Sequence, residues 1–281
     1  ETHGEGNGKR RRASFPMATL LIMHRLWLFL IRDFVGFSSR VMAVGFFGFL
    51  IFFFVNRITD TQSGAQNRVG ISYEIVAGPY FVGILTAVSL FPIQRNNFYR
   101  ERQDSMYSVS SFLLGYTLHS LPVDFIGSLV FSSFAVLAVG FRSSPSIFFQ
   151  ATTVAFASMH TGESLGLLFL SIFSDVGVAE KIASLLSAFI MVLTGFLRTP
   201  GSLPVVFEIL NYISPSSYAA QVLFVNEMKG QSFTCSATER LPDGRCPIST
   251  GDEMLGIYGF TTNTVARRFF FFCLTPFPFF L

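Results

Sequence analysis

His160 and Glu163 stand three residues apart in an otherwise apolar stretch, a spacing that puts both on one face of a helix. An imidazole beside a carboxylate could relay protons, or give two ligands to a metal ion, with His119 as a third in a membrane-embedded metalloenzyme. Two residues without a further ligand motif suit a hydrogen-bonded structural pair better, and no metal site is assigned. His119 and Asp124 fall toward the start of another apolar run, where an interfacial position accounts for them, and Glu74 lies near the outer boundary of a third. A charge at mid-bilayer costs about 2.5 to 3.5 kcal/mol on insertion scales, so each such residue is a functional candidate. Their small number counts against a proton-coupled carrier. Phosphate chemistry finds no home: Gly6-Asn7-Gly8-Lys9-Arg10 lacks both the glycine spacing of a phosphate loop and the hydroxyl for magnesium. The three cysteines include no Cys-x-x-Cys pair, which removes the usual half of a zinc site.

The elements that must position these residues are membrane helices. Hydrophobic residues make up 51% of the 281-residue chain and charged ones 13%, against about 25% charged in a soluble domain. With 36 phenylalanines, the apolar excess is bulkier than one soluble core of this length could bury. A net charge of +3 is too weak for a nucleic-acid binder, and the first residues show no secretory signal pattern. A helix crosses the bilayer in about 20 residues. The uncharged runs predict spans over Val41–Val55, Ile75–Ile93, Met106–Phe141, Pro145–Phe173 and Ile182–Leu197, and an incomplete sixth over Phe269–Leu281 that carries Pro276 and Pro278.

Lysine and arginine in short loops set orientation. Lys9 to Arg12, Arg25, Arg32 and Arg40 precede the first span, and Arg95, Arg100 and Arg102 fill the loop after the second, so both regions, and the N-terminus, are expected in the cytoplasm. The segment 200–268 then lies outside, where Cys235 and Cys246 can pair under oxidising conditions. Such a bridge adds roughly 3 kcal/mol by chain entropy; two free thiols are the alternative. Arg267 and Arg268 fall on the outer side, which the same rule disfavours. Residues 1–14 read as a basic disordered segment. Over 15–40 the charges recur every seven or eight residues among Leu, Ile, Phe and Trp27, the pattern of an amphipathic helix lying in the membrane interface, as a plain anchor or against a cytosolic partner.

The order of these elements, with several local strings, resembles the transmembrane half of the G-subfamily, or white-type, ABC transporters. The resemblance runs from Phe15 to Phe260. It rests on the spacing Arg25, Arg32-Asp33, Arg40, and most specifically on Asn97-Phe98-Tyr99-Arg100-Glu101-Arg102 followed by Met106-Tyr107-Ser108. Further matches are Leu121-Pro122, Glu163-Ser164-Leu165, Thr194-Gly195-Phe196, Asn211 through Pro215 with Tyr218-Ala219, and Asn226-Glu227 with Gly230, Phe233 and Cys235.

The resemblance implies an all-α, six-span ABC-2 type domain with an N-terminal connecting helix and an external re-entrant segment before the last span. It implies a dimer, with itself or a related half, driven by ABC ATPase domains that bind ATP and magnesium; no such domain is found in these residues, so no ATP hydrolysis is expected of this chain alone. Within the coupling loop 94–108, Phe98, Arg100 and Glu101 would form a short coupling helix facing the ATPase, Glu101 pairing with a basic residue such as Arg25 or Arg32; a solvated charged loop at the headgroups is the alternative. Tyr80, Phe81, Val82, Leu85, Ala188, Met191 and Val192 would line a cavity for a hydrophobic substrate, closed by an apolar plug at Phe196 and Leu197. The expected activity is ATP-driven export of lipids, sterols or hydrophobic xenobiotics, most naturally at the plasma membrane. Other readings are an ATP-independent carrier or channel, which usually shows internal repeats that are not seen here, and an inactive truncated fragment.

Overall fold

The computed structural model describes residues 13–142, 144–192, 204–236, 238–242 and 246–260. Phe196, Leu197, the tail 269–281 and nearly all of 1–14 lie outside the described residues. Nine α-helices account for most of what is described: α1 (Phe15–Arg32), α2 (Phe34–Val55), α3 (Gln62–Gln103), α4 (Val109–Ser132), α5 (Pro145–Ile172), α6 (Val176–Met191), α7 (Val205–Ile213), α8 (Pro215–Met228) and α9 (Gly251–Tyr258). Two isolated bridges are the sole β pairings among the described residues.

Asp33 divides the sequence expected to form one connecting helix over 15–40. Its backbone leaves the helical region at φ −105° and ψ 70°, ending α1, while its carboxylate accepts from the Gly36 N–H at 3.0 Å and caps α2. A side-chain acceptor in this position satisfies one of the N–H groups that a helix start leaves without a partner. Residues 34–40 therefore extend the first span, and Arg40 is inside it. Among the described residues, four helical stretches, α1, α2, α3 and α4 with its continuation, are long and apolar enough to cross a membrane by length and composition. The second expected span is the middle of α3, whose 42 residues reach about 63 Å at 1.5 Å per residue. Twice the bilayer core is too long to be a span alone, and the helix expected around Phe98–Glu101 is the continuation of α3 to Gln103 rather than a separate short element. α4 runs into a π-helical turn over Ser133–Ala138. α5 starts at Pro145, as expected; α6 starts six residues ahead of the expected Ile182 because Asp175 caps it from outside the apolar run, accepting from Val178 N–H at 2.8 Å.

α3 and α5 form the central pair. A Cβ on Gly83 would lie 2.1 Å from the Met159 carbonyl, and one on Gly162 2.0 Å from the Tyr80 carbonyl. Small residues are what let membrane helices approach backbone to backbone. Two apolar cores pack around this axis. One, with Val44, Ile75, Phe131, Val154 and Phe224, joins α2, the first half of α3, the end of α4, α5, α8 and α9. The other, with Ile22, Ile84, Phe91, Phe112 and Leu170, joins α1, the second half of α3, α4, α5 and α6.

Candidate functional site

At the α3–α4 junction, Arg25 of α1 donates to Glu101 Oε1, and the Tyr107 hydroxyl donates to Glu101 Oε2. One carboxylate thus ties α1 to both sides of the junction. Burial, and then the bond to Glu101, push the Tyr107 phenol above its usual range, so it remains a donor at any physiological pH. Phe98 is buried beneath, stacked on Phe112 at 4.6 Å, with the Arg102 guanidinium 5.9 Å above its ring. Arg100 is turned to Asn97 at 3.4 Å on the exposed side. Arg32 is exposed in a shallow hollow it shares with Arg25 and Asp33, and it is Arg25 that meets Glu101. The junction therefore has a fixed layer, Arg25, Glu101, Tyr107 and Phe98, beneath exposed charges that another protein could contact.

A hollow of about 210 Å³ lies between α3 and α6, with Phe47 of α2 as its third wall. Of the residues expected to line a cavity, Tyr80, Phe81, Ala188 and Met191 meet there. Val82 is turned into the core, and Leu85 and Val192 are exposed beyond the hollow. Phe47 and Glu74 complete the wall and also border a second hollow, of about 640 Å³, between α2, α3 and α9. The sequence carried a signal for Glu74: with Asn67, Gly70, Ala77 and Phe81 it recurs every three or four residues, a narrow face left open while the other residues of 68–80 are buried. A wide apolar wall with few polar groups is the usual make-up of a small-molecule site.

Between the two apolar cores lies a charged layer. Arg40 Nη2 of α2 donates to Glu163 Oε1 of α5 at 2.8 Å and to Asp124 Oδ1 of α4 at 3.3 Å. Arg40 is 8% exposed, Glu163 2% and Asp124 not at all. Asp124 is thus not at an interface, as its place in the sequence suggested. It faces the core because it lies on the same side of α4 as the buried Ser120 and Ser128, one turn away on each side. Buried charge is likewise not scarce. His160 Nδ1 is 3.7 Å from Asp124 and 4.0 Å from Glu163, too far for a direct hydrogen bond between the two residues expected to pair. Asp124, His160 and Glu163 could offer metal ligands within 4.8 Å of one another, but the Arg40 guanidinium already supplies the cation between the carboxylates. His119 is outside this group, edge-on to Trp27 at 5.4 Å.

At the opposite end of α3, buried Arg68 donates to Glu227 and, at 2.8 Å, to Asp60, and Glu227 also accepts the Arg142 N–H at 3.0 Å. Cys235 and Cys246 are disulfide-bonded with Cα atoms 5.7 Å apart. The residues flanking the bridge are held to the start of α3, where Gln62 bonds both ways to the Ile248 backbone at 2.7 and 3.1 Å and Thr234 N–H donates to the Asp60 carbonyl at 2.8 Å.

Residues 17–228 match the family described as ABC-2 type transporter. The chain is 31% identical over 221 residues to the ATP-binding cassette sub-family G member 5 of Homo sapiens, covering 78% of this chain and 34% of that protein. It is 24% identical over 261 residues to the protein white of Ceratitis capitata, covering 92% and 38%. With the broad substrate specificity ATP-binding cassette transporter of Mus musculus it shares 27% identity over 198 residues, 69% of this chain and 30% of that one. The chain spans about a third of the length of these curated relatives. With long apolar helices among its described residues and a family match over most of its length, the chain is an integral membrane protein, and it belongs to the ABC-2 type transporter family as a membrane domain of the G-subfamily kind.

Proposed function

We propose that this chain is the permease part of an ATP-driven exporter of lipids, sterols or hydrophobic xenobiotics, working as a dimer with itself or a related half. The open apolar hollow between α3 and α6 carries the reading, since an extruder of hydrophobic molecules needs an apolar site reachable from lipid or from a dimer axis. The exposed stripe of α3 and the exposed side of α6 would face the second half. Phe196 and Leu197 would form the apolar plug beyond the hollow. An ABC ATPase domain, holding ATP and magnesium, would push on the α3–α4 junction, where Glu101 fastens α1 to α3 so that both move together. The N-terminus would then be cytoplasmic, the disulfide-bonded segment outside, and the plasma membrane the natural location.

The test is export of a fluorescent sterol from vesicles holding the chain with an ATPase-bearing half. Transport should require ATP and fall at least tenfold when Ala188→Trp fills the hollow. ATP-dependent export untouched by that substitution would sink the proposal. The charged layer at Arg40, Asp124, Glu163 and His160 favours one alternative, an ion-coupled carrier, which predicts transport by this chain alone under a pH gradient.

A further inference from the structure

The buried carboxylates of this bundle come with arginines: Asp124 and Glu163 with Arg40, Glu227 with Arg68. Glu74 does not. Among the described residues no hydrogen bond or ion pair engages its side chain, although it stands 12 residues into α3, about 18 Å from the helix start. It is flanked on its own face by Gly70, Ala77 and Gly78, so no bulky side chain covers it. Facing it across the shared wall of the two hollows is the Phe47 ring. A carboxylate set against an apolar wall near the end of a span is costly without a counter-charge, and the open face of α3 leaves space beside it instead of a cation.

We infer that Glu74 receives the cationic head of an amphiphile whose apolar body lies along Phe47 and Phe81, so that the substrate class favoured here is the hydrophobic amine. The amine ammonium pairs with the carboxylate in a charge-assisted hydrogen bond, while Asn67, Gln66 and Tyr258 offer weaker polar contacts toward the outer mouth. This rests on reading the hollows as a substrate site, and it adds what such a site selects.

The experiment measures binding to the purified full chain in phosphatidylcholine nanodiscs, by equilibrium dialysis against empty discs. The probes are two dansyl-labelled C12 chains, one ending in an ammonium and one in a hydroxyl. The wild type should hold the ammonium at least tenfold more tightly than the alcohol. Glu74→Gln should bring the two within twofold by weakening only the ammonium, and Glu74→Asp should keep a preference. If Glu74→Gln also loses the alcohol, Glu74→Asp decides: a retained ammonium preference supports the inference and equal binding overturns it. Equal binding of both probes to the wild type leaves the hollow standing and overturns the role of Glu74. Binding of neither probe overturns the hollow as well. An unchanged preference in Glu74→Gln, with fewer copies per disc, assigns Glu74 to a contact between copies and overturns the inference.

Discussion

Replacing Arg40 by methionine tests whether the charged layer between the two cores is held by one guanidinium. Arg40 is the sole arginine within reach of Asp124 and Glu163 among the described residues, and all three are buried. Removing it strands two carboxylates at close quarters, and loss of one partner from a buried ion group costs about 3 to 5 kcal/mol. The upper half of that range is expected here, because two anions rather than one are left without a cation. The combined variant Arg40→Met, Asp124→Asn, Glu163→Gln removes the charge altogether and should recover most of the loss, ending within about 2 kcal/mol of the wild type, since buried ion groups replaced as a set are often near neutral. Arg32→Met, on the exposed side of α1, should stay within about 0.5 kcal/mol. The assay is reversible unfolding of the purified chain in mixed micelles, with all variants at one pH. If Arg40→Met loses less than 1 kcal/mol, or the triple variant is no more stable than the single one, the carboxylates are not held by Arg40.

Tyr107→Phe removes the donor to one Glu101 oxygen and should cost about 1.5 kcal/mol, a bond to a charged acceptor, read by unfolding. At the same junction Arg25→Ala should cost under about 1 kcal/mol in stability, because Arg25 is 41% exposed; exchanging the pair, Arg25→Glu with Glu101→Arg, should restore ATP-driven export that either single change lowers. Glu227→Ala strands buried Arg68 and leaves the Arg142 N–H without its acceptor. A loss of about 3 kcal/mol or more in unfolding free energy is expected. Reducing the disulfide opens a segment of sequence separation 11 and should lower stability by roughly 3 kcal/mol, with faster amide exchange confined to 231–250.

Much of this architecture is legible in residue types and spacing, and the failures have physical causes. Pro145 opens α5 because its fixed φ and missing N–H suit a first turn, so that boundary can be read directly. The end of α3 cannot, since Gln94 to Gln103 is charged enough to read as a loop yet continues a helix whose Phe98 is anchored on Phe112; tertiary packing outweighs local polarity. Asp33 conceals a break because one residue can both end a helix and cap the next. Hydropathy treats every ionisable residue in a span as a cost, so it has no means of matching Arg40 with partners 84 and 123 positions away. At the hollow, the expected Phe81 and Ala188 are found on facing helices, whereas Phe47 is one phenylalanine in a run of many and nothing in α2 marks which of them turns toward α3.

The charged layer and the hollow depend on the same backbone contact. Gly83 and Gly162 allow α3 and α5 to touch, and Glu163, which follows Gly162, is then delivered to the centre of the bundle, where Arg40 of α2 meets it. α2 held by that bond presents Phe47, seven residues on, against α3. Two turns of helix therefore connect the ion group to the wall that Phe47 shares with Glu74. Gly162→Ala would place a methyl 2.0 Å from the Tyr80 carbonyl, which cannot move without displacing α3. The expected result is loss of both features together: unfolding weakened by more than about 2 kcal/mol, and lost binding of a hydrophobic amine in the chain that still folds. A Gly162→Ala variant that keeps full amine binding while losing that stability would show that the hollow is built independently of the ion group.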